Sequence, residues 1–259
     1  MIDYKAMKIT CIGEGIFEVM RSTECPNIEN RKETEKTPNG EGDIRRKEEY
    51  LKTSIHKSRE KFRRLTSMNF NKNSTFITLT FAENIQDHAI ANHEFKKFIQ
   101  RLNRKCVKEK FDLKYIATIE YQKRGAIHYH MICNYSLKFI KGATNRMKED
   151  NFAKKTWKNG FCNIKDICGK DVDNVGAYLV KYMTKSDTIQ EQKQKYLHSR
   201  NLLEPIILDQ EETIYWKEEL KNHYPKMSAT LETEYWGQIQ YLQYNFAWEK
   251  KGLEELNKL

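Results

Sequence analysis

The chain has 259 residues, enough to bury a full core in one principal domain with extensions. It carries 46 Lys and Arg against 36 Asp and Glu, a formal net charge of +10, which points to a polyanionic partner, nucleic acid ahead of a membrane surface. No run approaches the ~20 apolar residues that span a bilayer, no signal-peptide core follows Met1, and the six cysteines form no Cys-x-x-Cys pair, so a cytoplasmic protein with reduced thiols is expected.

Residues 1–25 carry a short apolar pattern (Ile9, Cys11, Ile16, Phe17, Val19) that suits either a strand or a helix. Pro26 to Gly42 is polar, with Pro, Asn, Gly and mixed charges, and reads as a mobile linker. Asp43 is a candidate cap for a long helix towards Met68, with Ile44, Leu51, Ile55, Phe62 and Leu65 as its apolar stripe. Between Arg45 and Arg64 stand nine Lys or Arg and three Glu, a pattern equally suited to a solvated face and to a DNA-backbone contact.

Thr75 to Phe81 alternates like a strand of a central sheet, and Gln86 to Cys106 follows as an amphipathic helix. Lys114 to Tyr121 and Ala126 to Cys133 form the two arms of a predicted β-hairpin, with Gly125 suited to a left-handed loop position. Side chains alternate along a strand, so His128 and His130 share a face. A three-residue loop centred on Arg124 sets Glu120 opposite His128, and one centred on Gly125 sets it opposite His130. Either register brings the carboxylate to the histidine face. A lone strand histidine is ordinarily a hydrogen-bonded structural residue, but two at i, i+2 with a Glu in register suit a divalent-metal site. One carboxylate beside two imidazoles is compatible with Mg, Mn or a neighbouring transition metal, and the sequence does not choose among them.

Asn145 to Lys158 reads as a helix stopped by Asn159-Gly160, and Phe161 to Cys168 as another strand. Asp171-Val-Asp-Asn174 offers caps for a helix over Val175 to Lys185. On that helix Tyr178 and Tyr182 project from one face a turn apart, each followed three residues later by a lysine, Lys181 and Lys185. A tyrosine pair at this spacing is usually core. Pro205 to Leu208 and the aromatic run from Tyr235 to Phe246 read as ordered, with packing favoured over base stacking for the aromatics.

The order strand, helix, hairpin, helix, strand, helix suggests an α+β fold with a ferredoxin-like central antiparallel sheet and helices packed on it. Three motifs resemble those of rolling-circle replication initiators of the HUH endonuclease superfamily, found in single-stranded DNA phages and small plasmids. Phe76-Ile-Thr-Leu-Thr80 resembles the first motif, Gly125-Ala-Ile-His128-Tyr129-His130 the His-hydrophobe-His motif, and Ala177 to Lys185 a doubled tyrosine motif. The resemblance covers about residues 70–190. It divides the chain into an N-terminal segment and linker (1–42), a basic helix (43–70), a nuclease domain (71–190) and a C-terminal extension packing on that domain (191–259).

The resemblance implies a metal-dependent, site-specific nick in single-stranded DNA through a 5′-phosphotyrosine link. Tyr178 and Tyr182 would be the nucleophiles and Lys181 and Lys185 their helpers. His128, His130 and Glu120 would hold Mg or Mn, and Arg59, Arg63, Arg64, Lys123 and Arg124 would contact DNA. It also implies an origin hairpin as target and a partner or host helicase and polymerase, since no Walker-type loop is present. A transposase or relaxase of the same superfamily, and a non-catalytic binder of single-stranded nucleic acid on a ferredoxin-like sheet, are the alternatives.

Overall fold

Hydrophobic alternation at both ends of the chain and in its middle yields two antiparallel five-stranded sheets, where the sequence suggested one. A computed structural model describes residues 4–25, 40–167, 176, 179–180, 196–233 and 235–250; the side chains of 40–51 lie outside that description. The α+β chain divides into two units, Met1–His56 with Glu204–Leu259, and Lys57–Leu203.

In the first unit, β1 (Ala6–Gly13) and β2 (Ile16–Ser22) form a hairpin around Gly15, whose φ of +66° suits a residue without a Cβ. This settles the strand-or-helix choice for the N-terminal stretch. The sheet order is β8-β1-β2-β10-β9, with β8 at Ile206–Ile207, β9 at Met227–Thr233 and β10 at Gly237–Asn245. Ile9, Phe17, Val19, Leu242 and Tyr244 make the core of one face, where Trp216 packs on Phe17 with ring centroids 4.2 Å apart. Trp216 belongs to the helix Gln210–Glu219, which starts at a capping box between Asp209 and Glu212.

Helix α1 runs Gly40–Asn69, starting three residues before the expected cap at Asp43. Residues 26–39 of the expected linker lie outside the described residues, and 40–42 are helical. In the second unit the order is β3 (Thr75–Phe81), α2 (His88–Lys108), β4 (Tyr115–Tyr121), β5 (Ile127–Cys133), α3 (Asn145–Phe152) and β6 (Gly160–Asp166). The short β7 (Leu197–His198) adds to β4, giving the sheet order β6-β3-β5-β4-β7 with every pair antiparallel. This β-α-β-β-α-β path with its interleaved strand order is the ferredoxin-like arrangement. Asp87 caps α2 by accepting from the amides of Ala89 and Ile90. The helix expected to Lys158 is α-helical only to Phe152; a π turn over Ala153–Trp157 follows, and Lys158 closes it at φ +71°.

Helices cover both faces of this sheet. The α2 side buries Ile77, Leu79, Phe95, Phe98, Leu102, Ile127, Tyr129, Met131 and Trp157. Towards one end of the other face, Phe62 and Leu65 of α1 cluster with Phe76, Ile116, Ile132 and Leu179. Covering on both sides explains why all seven residues of β5 are buried, not alternate ones.

Candidate active site

Strand β5 is flanked by β3 and β4, and the two registers build the site. Gln122 N donates to Ala126 O at 2.9 Å and Gly125 N to Gln122 O at 2.8 Å, so Lys123, Arg124 and Gly125 form the loop. Gly125 takes φ +83°, which a Cβ would penalise. The loop is therefore centred on Arg124 and Glu120 stands opposite His128, one of the two registers the sequence left open. On the other side Thr78 stands opposite His130 and Thr80 opposite His128. Ile127, Tyr129, Met131 and Cys133 point into the α2 core, so the two histidines share the reverse face with Glu120, Thr78, Thr80 and Thr118.

His130 is held from three sides. Its Nε2 lies 2.6 Å from Glu120 Oε2, its Nδ1 3.2 Å from Thr78 Oγ1, and its ring stacks on Phe76 at 5.9 Å. With Nε2 towards the carboxylate and Nδ1 towards the hydroxyl, ring orientation is determined by neighbours on two strands. His128 differs: it is 8% exposed, and its Nε2 is buried with no hydrogen-bond partner. Burial chiefly, then the neighbouring His130, lowers its pKa, against an opposing pull from Glu120. It is a neutral imidazole with an unused lone pair, and such an orphan costs about 1–3 kcal/mol unless something meets it.

This donor set suits a divalent cation: a buried unpartnered imidazole nitrogen, a second imidazole and a carboxylate on one face. Among the described residues no group of three or more His, Cys, Asp or Glu side chains is drawn together as a finished metal cage. Instead, Glu120 and His130 satisfy each other and His128 is left over.

The other predicted residues fall as follows. Lys123 and Arg124 are exposed at the hairpin tip, beyond the Glu120–His128 pair; Arg124 Nε donates to Gln122 Oε1 at 2.9 Å. On α1, Arg64 pairs with Glu60 at 2.6 Å, and Arg59 Nε is buried without a partner. Arg63 presents its backbone to Gly176, where an added Cβ would meet its carbonyl oxygen at 3.1 Å. Tyr178, Lys181, Tyr182 and Lys185 lie outside the described residues. Their described neighbours Gly176, Leu179 and Val180 are helical, and Leu179 is fully buried in the cluster holding Ile132, the next residue after His130 on that strand face.

Three contributors went unnoticed as site residues in the sequence. Thr78 and Phe76 hold His130, although only their motif was singled out. Phe161 stands opposite Thr80, hence on the histidine face, and is 68% exposed. The alternation of Thr75 to Phe81 groups Thr78 with Thr80, but nothing local says that β3 lies beside β5.

Charge is divided between the units. Lys57–Leu203 holds 30 Lys and Arg against 14 Asp and Glu, net +16, and the remainder of the chain holds 16 against 22, net −6. The polyanion-binding character lies with the histidine-bearing unit.

Residues 74–187 match the family model of the ORF2-type replication-associated proteins. That stretch contains Glu120, His128, His130 and both Tyr-x-x-Lys repeats. No curated protein and no solved structure matches the chain. No helix of the described residues is long and apolar enough to cross a membrane.

Proposed function

We propose that this chain is a replication initiator: a metal-dependent endonuclease and strand transferase that nicks single-stranded DNA at an origin hairpin and so starts rolling-circle replication of a phage or plasmid. The match to a replication-associated family supports the general class. The observation that carries the chemistry is the unpartnered, buried His128 Nε2 on the same face as the His130–Glu120 pair.

His128, His130 and Glu120 would hold Mg or Mn, which when bound supplies positive charge for the non-bridging oxygens of the scissile phosphate. Thr78 and Phe76 keep the His130 ring in place. Tyr178 or Tyr182 attacks phosphorus through its phenolic oxygen after losing its proton to solvent. The Tyr–O–P bond forms as the P–O3′ bond breaks, and the departing O3′ takes a proton from Lys181 or Lys185. The products are a 5′-phosphotyrosine link and a free 3′-OH, a primer for a host polymerase. Because one phosphoester replaces another, rejoining needs no ATP. The support for assigning the tyrosines is that Leu179, between them in sequence, is buried in a cluster on the histidine face.

DNA would lie across the +16 unit, touching Arg59, Arg63 and Arg64 on α1 and Lys123 and Arg124 at the hairpin tip. Phe161 offers an exposed ring on the same face for a base to stack on. The test is incubation of the chain with labelled single-stranded origin DNA and Mn or Mg. A denaturation-resistant adduct is expected. DNA binding without any adduct, in every metal tried, returns the chain to the non-catalytic alternative.

A further inference from the structure

Strand β9 ends the first unit's sheet as an open edge. Residues 227–232 are exposed, with Met227 at 52% and Leu231 at 63%. Its pairing with β10 runs without a bulge from Thr233↔Gly237 to Met227↔Gln243. Edge strands are ordinarily blunted by an inserted Lys or Pro, a bulge or very short length. The opposite edge, two-residue β8, follows that rule. The seven residues of β9, Met-Ser-Ala-Thr-Leu-Glu-Thr, use none of these devices.

The open edge is also apolar on one side. Met227, Ala229 and Leu231 share a face with Ile239 and Tyr241 of β10 and with Met20 of β2, itself 41% exposed. The stripe runs to the rim and stops there. A DNA strand is a poor occupant, because this unit carries net −6.

A second β9 is a good one. In an antiparallel pair with its two-fold axis at Ala229, Met227 faces Leu231 of the second copy and Ser228 faces Thr230. Lys226 faces Glu232, so the only two charges in the paired segment meet as opposites, twice by symmetry. Gln238 Nε2 donates to Glu232 Oε1 at 2.8 Å, holding that carboxylate on the polar side. An axis one residue along, at Thr230, sets Met227 against Thr233 and Glu232 against Ser228 and loses both matches. We propose that β9 is a self-association strand, joining two copies of this chain edge to edge through a ten-stranded sheet. The contact uses the same edge on both copies, so it closes at a dimer.

Cross-linking of the full chain tests the register. Antiparallel partners stand about 4.5–5.5 Å apart at Cα, within the roughly 4.4–6.8 Å a disulfide spans. Under mild oxidation Ala229→Cys should give a covalent dimer well above the parent chain, whose exposed Cys25 sets the background. Ser228→Cys and Thr230→Cys should stay at background alone and cross-link when mixed. In sedimentation, Glu232→Lys should weaken the dimer by about tenfold or more, and adding Lys226→Glu should restore it. Three results would overturn the proposal: a parent chain monomeric up to about 100 μM, Thr230→Cys cross-linking as well as Ala229→Cys, or open-ended polymers.

Discussion

His128→Leu should make the metal-free protein more stable while abolishing its nicking activity. Leucine has a similar volume and brings no nitrogen to desolvate. The buried Nε2 meets no partner in the native fold, and an unsatisfied buried polar group costs about 1–3 kcal/mol. For a chain of this size each kcal/mol moves Tm by about 2–4 °C, so thermal unfolding in chelator should shift upward by several degrees. With Mn added to about 100 times its Kd the parent chain should gain about 2.7 kcal/mol, and the variant should not respond. The pH dependence has a definite sign. Folding lowers the His128 pKa below its ordinary 6.5, so in acid the unfolded chain takes up a proton that the folded chain refuses. That contribution to stability is intact above pH 6.5 and is lost as pH falls towards the folded pKa. The leucine variant lacks this loss, and its advantage should widen as pH drops below 6.5. Calorimetry in chelator at pH 7.5 and 5.5 decides it: a variant less stable than the parent at pH 7.5 would falsify the orphan-donor reading.

Either Tyr178→Phe or Tyr182→Phe alone should keep some adduct and the pair together none; peptide mapping that finds label on one tyrosine only reduces the other to structure. Replacing Arg59, Arg63 and Arg64 by Gln should weaken single-strand binding at all sequences and lower the salt slope by about 2, at roughly 0.7 for each phosphate no longer neutralised. An unchanged slope would make α1 a solvated face. Phe161→Ala should cost about 1–3 kcal/mol of single-strand affinity, with Phe161→Trp retaining it, as titrations of a labelled oligonucleotide would show; equal affinity for all three chains removes the stacking role.

Local sequence determined which residues share a face, because alternation is a property of the strand itself. It is why alternation alone could group His128, His130 and Glu120, and why α2 and both arms of the hairpin lie where periodicity put them. The hairpin register was open between two loops, and the choice fell on the one that gives the left-handed position to Gly125.

Tertiary structure decided what stands beside what. Thr78 reaches His130 only because β3 pairs with β5, across more than fifty residues of chain, and no local pattern encodes that neighbour. The same holds for β2 and β10, which close a sheet between the two ends of the sequence. The even-looking +10 likewise separates into +16 and −6 only once the fold assigns residues to units. The unpartnered nitrogen of His128 is the furthest from the sequence of all: composition can supply an imidazole, but only packing on every side can withhold its water.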